Sequence, residues 1–208
     1  MIIKRLELGP IMANCYILGC ERTKEAVVVD PGDEADKVLM ALSEEGLKVK
    51  YLVNTHGHFD HVGANKRLKE VTGADLLIHS EDEPMLSELS SHARAFGLSA
   101  DNSPGADRYL SDKDEITFGD YTLRVIHTPG HSRGGICLYD GKSGLLFSGD
   151  TLFAGSIGRT DLPGGSFDTL ISSIKTRLFT LPDDTVVYTG HGPETSIGRE
   201  KKINPFFA

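Results

Sequence analysis

Short runs of apolar and β-branched residues alternate along this chain with longer amphipathic stretches, and turn residues separate them. Strand-like runs fall at Ile2–Leu8, 14–18 and 26–30. Asp33 is placed to cap a helix that continues to about Glu45 and stops at Gly46. Residues 50–54 form a strand-like apolar run, and 64–71 mix charged with apolar positions as a helix that stops near Gly73. A strand at 74–78 precedes a polar, Ser- and Glu-rich stretch at 81–96, which predicts one or two helices, and then a loop at 100–106. Further strands are predicted at 116–118, Tyr121–His127, 136–139, 144–148 and Val186–Thr189, several of them separated by Gly-Asp or Asp-Gly turn signals. Leu170, Ile171, Ile174 and Leu178 recur at helical spacing within 167–179. Strands with intervening helices predict a layered α/β architecture, and the mix of hairpins and crossovers predicts mixed sheets.

The densest chemistry lies where the strand at 50–54 gives way to the helix at 64–71. Thr55-His56-Gly57-His58-Phe59-Asp60-His61 places three imidazoles and one carboxylate within six residues, His56 to His61. Neutral imidazole is the commonest metal ligand near pH 7, and a carboxylate adds charge and a hard oxygen. Loops between a strand end and a helix start are where ligand sites form in α/β proteins. His56 and His58 are two residues apart, so in an extended loop they project the same way. Asp60 and His61 follow at once and are better placed to serve a second metal. Three more strand ends each carry one ligand-type residue beside glycine: Gly130-His131, Gly149-Asp150 and Gly190-His191-Gly192. The repetition of this arrangement is stronger than any one member of it.

The remaining histidines have plainer expectations. His79 and His92 are read as structural or surface residues, and His127 as buried and satisfied, with orientation of a ligand as its alternative role. Asp30, before Pro31-Gly32, is read as a turn residue that also supports the metal loop.

Composition narrows the class. The 208 residues are 39% hydrophobic and 25% charged, as in ordinary globular proteins, and are expected to form one domain over 1–208. The net charge of -8 disfavours phosphate-backbone binding, so no nucleic-acid partner is expected. Charges interrupt the apolar N-terminus, which therefore does not predict a signal peptide, and no apolar run predicts a membrane span. The three cysteines follow no ligand spacing: Cys15 and Cys137 are expected in the core and Cys20 near a turn, partly exposed. A reducing, cytoplasmic setting is the expectation. Oligomeric state is left open.

On His56-Gly57-His58-Phe59-Asp60-His61 followed by His131, Asp150 and His191, the chain resembles the metallo-β-lactamase fold superfamily over essentially its full length. Within it the chain looks most like the glyoxalase II group (hydroxyacylglutathione hydrolases), particularly short bacterial members, on 149–153 and Gly155-Ser156-Ile157-Gly158-Arg159. The resemblance implies a four-layer αβ/βα sandwich, two mixed sheets flanked by helices, with the site at one edge. It implies one metal on His56, His58 and His131, a second on Asp60, His61 and His191, and Asp150 bridging them. Zinc suits this set, and iron or manganese are accepted alternatives. Two adjacent cations would make a bound water easier to deprotonate, and the resemblance implies that the substrate is a hydroxyacyl thioester such as S-lactoylglutathione, whose thiolate would leave with little acid assistance. Asp60 is the candidate proton relay, and Arg159 the candidate contact to a substrate carboxylate.

The chain also departs from full-length glyoxalase II proteins. Arg159-Thr160-Asp161 stands where they carry Lys-Phe-Tyr, Gly192-Pro193 follows the last histidine in place of an acidic residue and a tyrosine, and no counterpart of their C-terminal helical region is expected within these residues. Gly158-Arg159-Thr160-Asp161 also resembles the persulfide dioxygenases of the superfamily. These oxidise glutathione persulfide on a single iron, here on His56, His131 and Asp150. True β-lactamases are expected to match only at the first motif. A purely structural metal role leaves the double ligand set without use.

Overall fold

The computed structural model describes residues 1–207, without the side chain of Ala95. Two six-stranded sheets lie face to face. The first runs in chain order: β1 (Ile2–Leu8), β2 (Ala13–Gly19), β3 (Glu25–Val29), β4 (Lys48–Val53), β5 (Asp75–His79) and β6 (Arg108–Leu110). β1, β2 and β3 pair antiparallel, and β3 to β6 pair parallel. Helices α1 (Ala35–Glu44), α2 (Phe59–Val62), α3 (Asn65–Thr72) and α4 (Glu83–Ala95) lie in the connections between these strands.

The second sheet is built from β7 (Glu115–Phe118), β8 (Tyr121–His127), β9 (Ile136–Asp140), β10 (Leu145–Gly149), β13 (Val186–Thr189) and β14 (Thr195–Ser196). Its order is β14-β13-β10-β9-β8-β7, with only β10 and β13 parallel. Between β10 and β13 come a two-stranded hairpin, β11 (Leu152–Phe153) and β12 (Ser156–Ile157), and helix α5 (Phe167–Ser173), which continues as a π turn over Ile174–Leu178. Helix α6 (Ile197–Ile203) follows β14.

The period of two along each strand explains the four layers. Val27 and Val29 of β3 face the second sheet and pack with Val53, Leu77, Val125, Leu138 and Phe147. Val28, between them, faces outward and packs with Leu52, Leu76 and helix residues Val38, Leu42, Leu68 and Leu86. On the far side Cys137, Leu146 and Val187 meet Leu170, Ile174 and Leu178 of the second helical layer. Strands buried on both faces carry unbroken apolar runs, as at Ala26-Val27-Val28-Val29. The sandwich of two mixed sheets between helices is the architecture expected.

Several local expectations are corrected. Asp33 does not cap α1: Glu34 holds the cap position in a left-handed conformation (φ 46°), and the Asp33 carboxylate accepts the Glu34 N–H at 2.6 Å instead. Cys20 is buried, not partly exposed. β6, β11, β12, β14, α2 and α6 lie outside the elements that the residue pattern predicts. The four strands have two or three residues each, too few to display an alternation. No helix among the described residues is long and apolar enough to cross a membrane.

Candidate metal centre

The site assembles at the strand ends where the two sheets meet. Asp30, directly after β3, has a left-handed backbone (φ 51°) that turns its carboxylate back under the loop after β4. It accepts the N–H of Thr55 at 2.7 Å and the Thr55 hydroxyl at 2.6 Å, and its Oδ2 lies 3.1 Å from His61 Nδ1. The reading of Asp30 as a turn that supports the metal loop agrees with this geometry. The loop bends at Thr55 and His56, and His58, itself extended, caps α2. That helical turn brings Asp60 and His61, neighbours in sequence, to one point.

Among the described residues three sets of ligand atoms come together; in one of them, Asp30 with His56 and His61, the Asp30 carboxylate is already engaged by Thr55, and the other two are free to face ions. In the first of these two, ligand atoms of His56, His58 and His131 lie within 4.8 Å of one another, with His58 Nδ1 only 2.8 Å from His131 Nε2. In the second, Asp60 Oδ2 and His61 Nε2 each lie 3.2 Å from His191 Nε2. Asp150 sits between the two. Its Oδ1 is 3.4 Å from His61 Nε2, and its Oδ2 is 3.6 Å from His131 Nε2 and 3.7 Å from His191 Nε2. All seven residues singled out from the sequence as metal ligands are thus brought together.

The residues fit metal ions. His56 Nε2 and Asp150 Oδ1 are buried and have no hydrogen-bond partner, an arrangement that costs about 1–3 kcal/mol per group unless something satisfies it. Cations held by these residues would supply that partner and would account for imidazole nitrogens facing each other at 2.8 and 3.2 Å.

The electrostatics divide the groups. Burial, with the neighbouring histidines, pushes His56 well below its usual pKa, and burial and His131 push His58 down to about 3. For His61 burial acts the same way, but the carboxylates of Asp150, Asp60 and Asp30 outweigh it and raise the pKa to about 10. Burial likewise opposes the shift at His191, and its hydrogen bond with Asp60 nevertheless raises it. Asp60 is held below the usual carboxylate range by His61 and His191 against the opposing effect of burial.

Supports around the ligands are partly backbone. The Arg159 carbonyl lies 2.8 Å from His131 Nδ1, which leaves Nε2 for the metal side. This contact is made by a peptide group and has no signature in side-chain chemistry. The Arg159 guanidinium is half exposed and pairs in bidentate fashion with Asp161, at 2.7 and 2.8 Å. Gly190 is required by close approach, since a Cβ there would lie 2.1 Å from Asp150 Oδ1. His127 lies 3.0 Å through Nε2 from the Arg133 carbonyl and stacks on His79 at 4.3 Å, so it is satisfied without touching a ligand. His92 pairs with Glu88 on α4, at 3.5 Å.

Residues 8–191 match the metallo-beta-lactamase superfamily. The chain belongs to that superfamily. Members of it are mostly metal-dependent hydrolases. The hydroxyacylglutathione hydrolase GloC of Haemophilus influenzae is 40% identical over 206 residues, 97% of each chain. Among solved structures, TTHA1623 in a di-iron-bound form has a TM-score of 0.90 at 40% identity, covering 98% of this chain and 99% of that one. ETHE1 from Myxococcus xanthus has a TM-score of 0.81 at 32% identity, covering 99% and 84%. The BLEG-1 B3 metallo-beta-lactamase has a TM-score of 0.92 at 39% identity over 99% of both chains. This last match corrects the expectation that β-lactamases resemble the chain only at the first motif, because here the whole scaffold that sets the strand-end loops is shared.

Proposed function

We propose that this superfamily member is a metal-dependent thioester hydrolase acting on S-lactoylglutathione or a related hydroxyacyl thioester. The observation that carries the dinuclear reading is the place of Asp150, whose two oxygens reach His131 of one group and His61 and His191 of the other. His56, His58 and His131 would hold one divalent ion, Asp60, His61 and His191 the second, with Asp150 shared. Zinc suits this set, and iron and manganese are alternatives. Bound together, two such ions lower the pKa of water and polarise a carbonyl.

The protein's own groups supply the rest. Asp60, whose Oδ2 lies 3.2 Å from His191 Nε2, would take a proton from the nucleophile and return it to the leaving thiolate. Arg159 is exposed enough to exchange its Asp161 partner for a substrate carboxylate while its carbonyl keeps His131 oriented. The likeness to GloC over nearly the full length supports the thioester class. Three buried free cysteines are consistent with a reducing, cytoplasmic setting.

The test follows thiol release from S-lactoylglutathione by metal-loaded protein, with and without oxygen. Cleavage independent of oxygen is expected. The likeness to ETHE1 makes persulfide oxidation on one iron, held by His56, His131 and Asp150, the competing reading. Oxygen consumption with glutathione persulfide, and no thioester cleavage, would replace the hydrolase with that dioxygenase.

A further inference from the structure

One carboxylate outside the metal loops ties two of them together. Asp82 lies in the turn between β5 and α4 and is buried. Its Oδ2 accepts the N–H of Gly57 at 3.1 Å, and Gly57 is the residue between His56 and His58. Its Oδ1 accepts the N–H of Gly134 at 2.6 Å, and Gly134 lies in the loop that carries His131. Both partners are glycines, and both press on Asp82. A Cβ at Gly57 would lie 2.8 Å from the Asp82 carbonyl oxygen, and one at Gly134 would lie 2.9 Å from the Asp82 carboxyl carbon. Asp82 is itself fixed, because its N–H donates to the His79 carbonyl at the end of β5, at 3.1 Å.

We propose that Asp82 is a positioning residue that sets the distance of His56 and His58 from His131, and so the affinity of the first ion site, without touching an ion. This rests on the dinuclear reading above. An ionised carboxylate is an acceptor at both oxygens, and that is what two converging backbone N–H groups need. The only other backbone tie between these loops among the described residues is from the Ile136 N–H to the Thr55 carbonyl, at 2.9 Å, and it acts before His56 rather than between the two ligands. The second group hangs on α2, on Asp30 and on the loop after β13, none of which Asp82 holds. Loss of Asp82 therefore acts on one site and not on the other.

Asp82→Asn keeps the shape but turns one acceptor into an NH2 group that faces an N–H. Titration with cobalt(II), read by its visible spectrum and by metal content after dialysis against a chelator, follows the two sites. One ion is expected to weaken by about 10- to 100-fold while the other stays near its wild-type affinity. Gly134→Ala, whose methyl would crowd Asp82 at its backbone N (2.8 Å) and at its carboxylate (2.9 Å), displaces the same residue and is expected to show the same selective loss should Asp82→Asn fail to fold.

Asp140→Asn is the control. Asp140 is also buried and accepts two backbone N–H groups, from Lys142 and Ser143 at 3.0 and 3.2 Å, at the end of β9 away from the site. Both N–H groups go to Oδ1, which asparagine retains, so this variant should leave both ions bound. Two ions held at wild-type affinity in both Asp82→Asn and Gly134→Ala, or equal loss of both ions, would overturn the role of Asp82 alone. A wild-type protein that takes up only one ion would overturn the dinuclear reading and this inference with it.

Discussion

The carboxylate of Asp30 accepts both the N–H and the hydroxyl of Thr55, at 2.7 and 2.6 Å, and so clamps the end of β3 to the first residue of the metal loop. The same carboxylate lies 3.1 Å from His61 Nδ1, which turns Nε2 toward His191. Replacing Asp30 with alanine leaves a buried N–H without a partner. The expected loss is about 3 kcal/mol of stability in denaturant melts, since an orphaned buried donor and lost charged hydrogen bonds act together. The second ion should be lost before the first.

Asp150 serves both groups, so Asp150→Ala should weaken both ions together. His56→Ala should mainly affect the first, because His56 belongs with His58 and His131. Metal analysis of the two variants beside wild type separates these outcomes. One tightly held iron, indifferent to His191→Ala, would contradict two sites.

Metal uptake should release protons, and the second site should be the source. His61, at about 10, carries a proton at pH 7 in the metal-free protein, and only the neutral ring can ligate. His58, at about 3, and His56, also lowered, have none to lose at that pH. As pH falls below 10, protons compete more strongly at His61, so affinity for the second ion should drop by up to about tenfold per pH unit. Calorimetry in buffers of different ionisation heat counts the protons. A second site without pH dependence between 6 and 9 would refute this assignment.

Asp60 and Arg159 should separate kinetically. Asp60→Ala should lower turnover by about 10² to 10⁴, through loss of a ligand and of proton transfer. Arg159→Ala should instead raise KM by roughly 5- to 10-fold, as loss of an exposed charged contact does, with turnover little changed. Steady-state thiol release measures both. A fall in turnover alone for Arg159→Ala would contradict a substrate-binding role for the guanidinium, since the carbonyl that faces His131 is kept in the variant.

Gly190→Ala should cost metal rather than fold. The added methyl would sit 2.1 Å from Asp150 Oδ1, so the carboxylate must move away from both groups. Metal content should fall while the circular dichroism of the folded sheets stays. Two ions retained at wild-type affinity would show that the loop yields instead.

The ligands themselves were legible because each is a chemically distinctive residue at the end of an apolar run: His56 after β4, His131 after β8, Asp150 after β10 and His191 after β13. Strands buried on both faces announce themselves by continuous apolar residues, and the site loops follow from their ends. The supports were not legible to the same degree. Asp82 lies in a turn before α4 that local pattern marks only as polar, and the Arg159 carbonyl is a peptide group like any other. Strands of two or three residues, such as β6 and β11, carry too little pattern to be seen.

Sequence alone therefore determined which side chains can bind metal and which strands form the core, because both depend on residue type and on short-range period. The resemblance implied how the ligands divide and that Asp150 stands between them; tertiary structure decided the distances that bring them together, and that Asp82 and the Arg159 carbonyl hold the loops. Those facts are distances between segments up to 130 residues apart, as from His61 to His191, and only the packing of one sheet on the other sets them. It also decided the charge of the histidines. His58 and His61, alike in sequence and three residues apart, are driven in opposite directions because burial dominates one and three carboxylates surround the other.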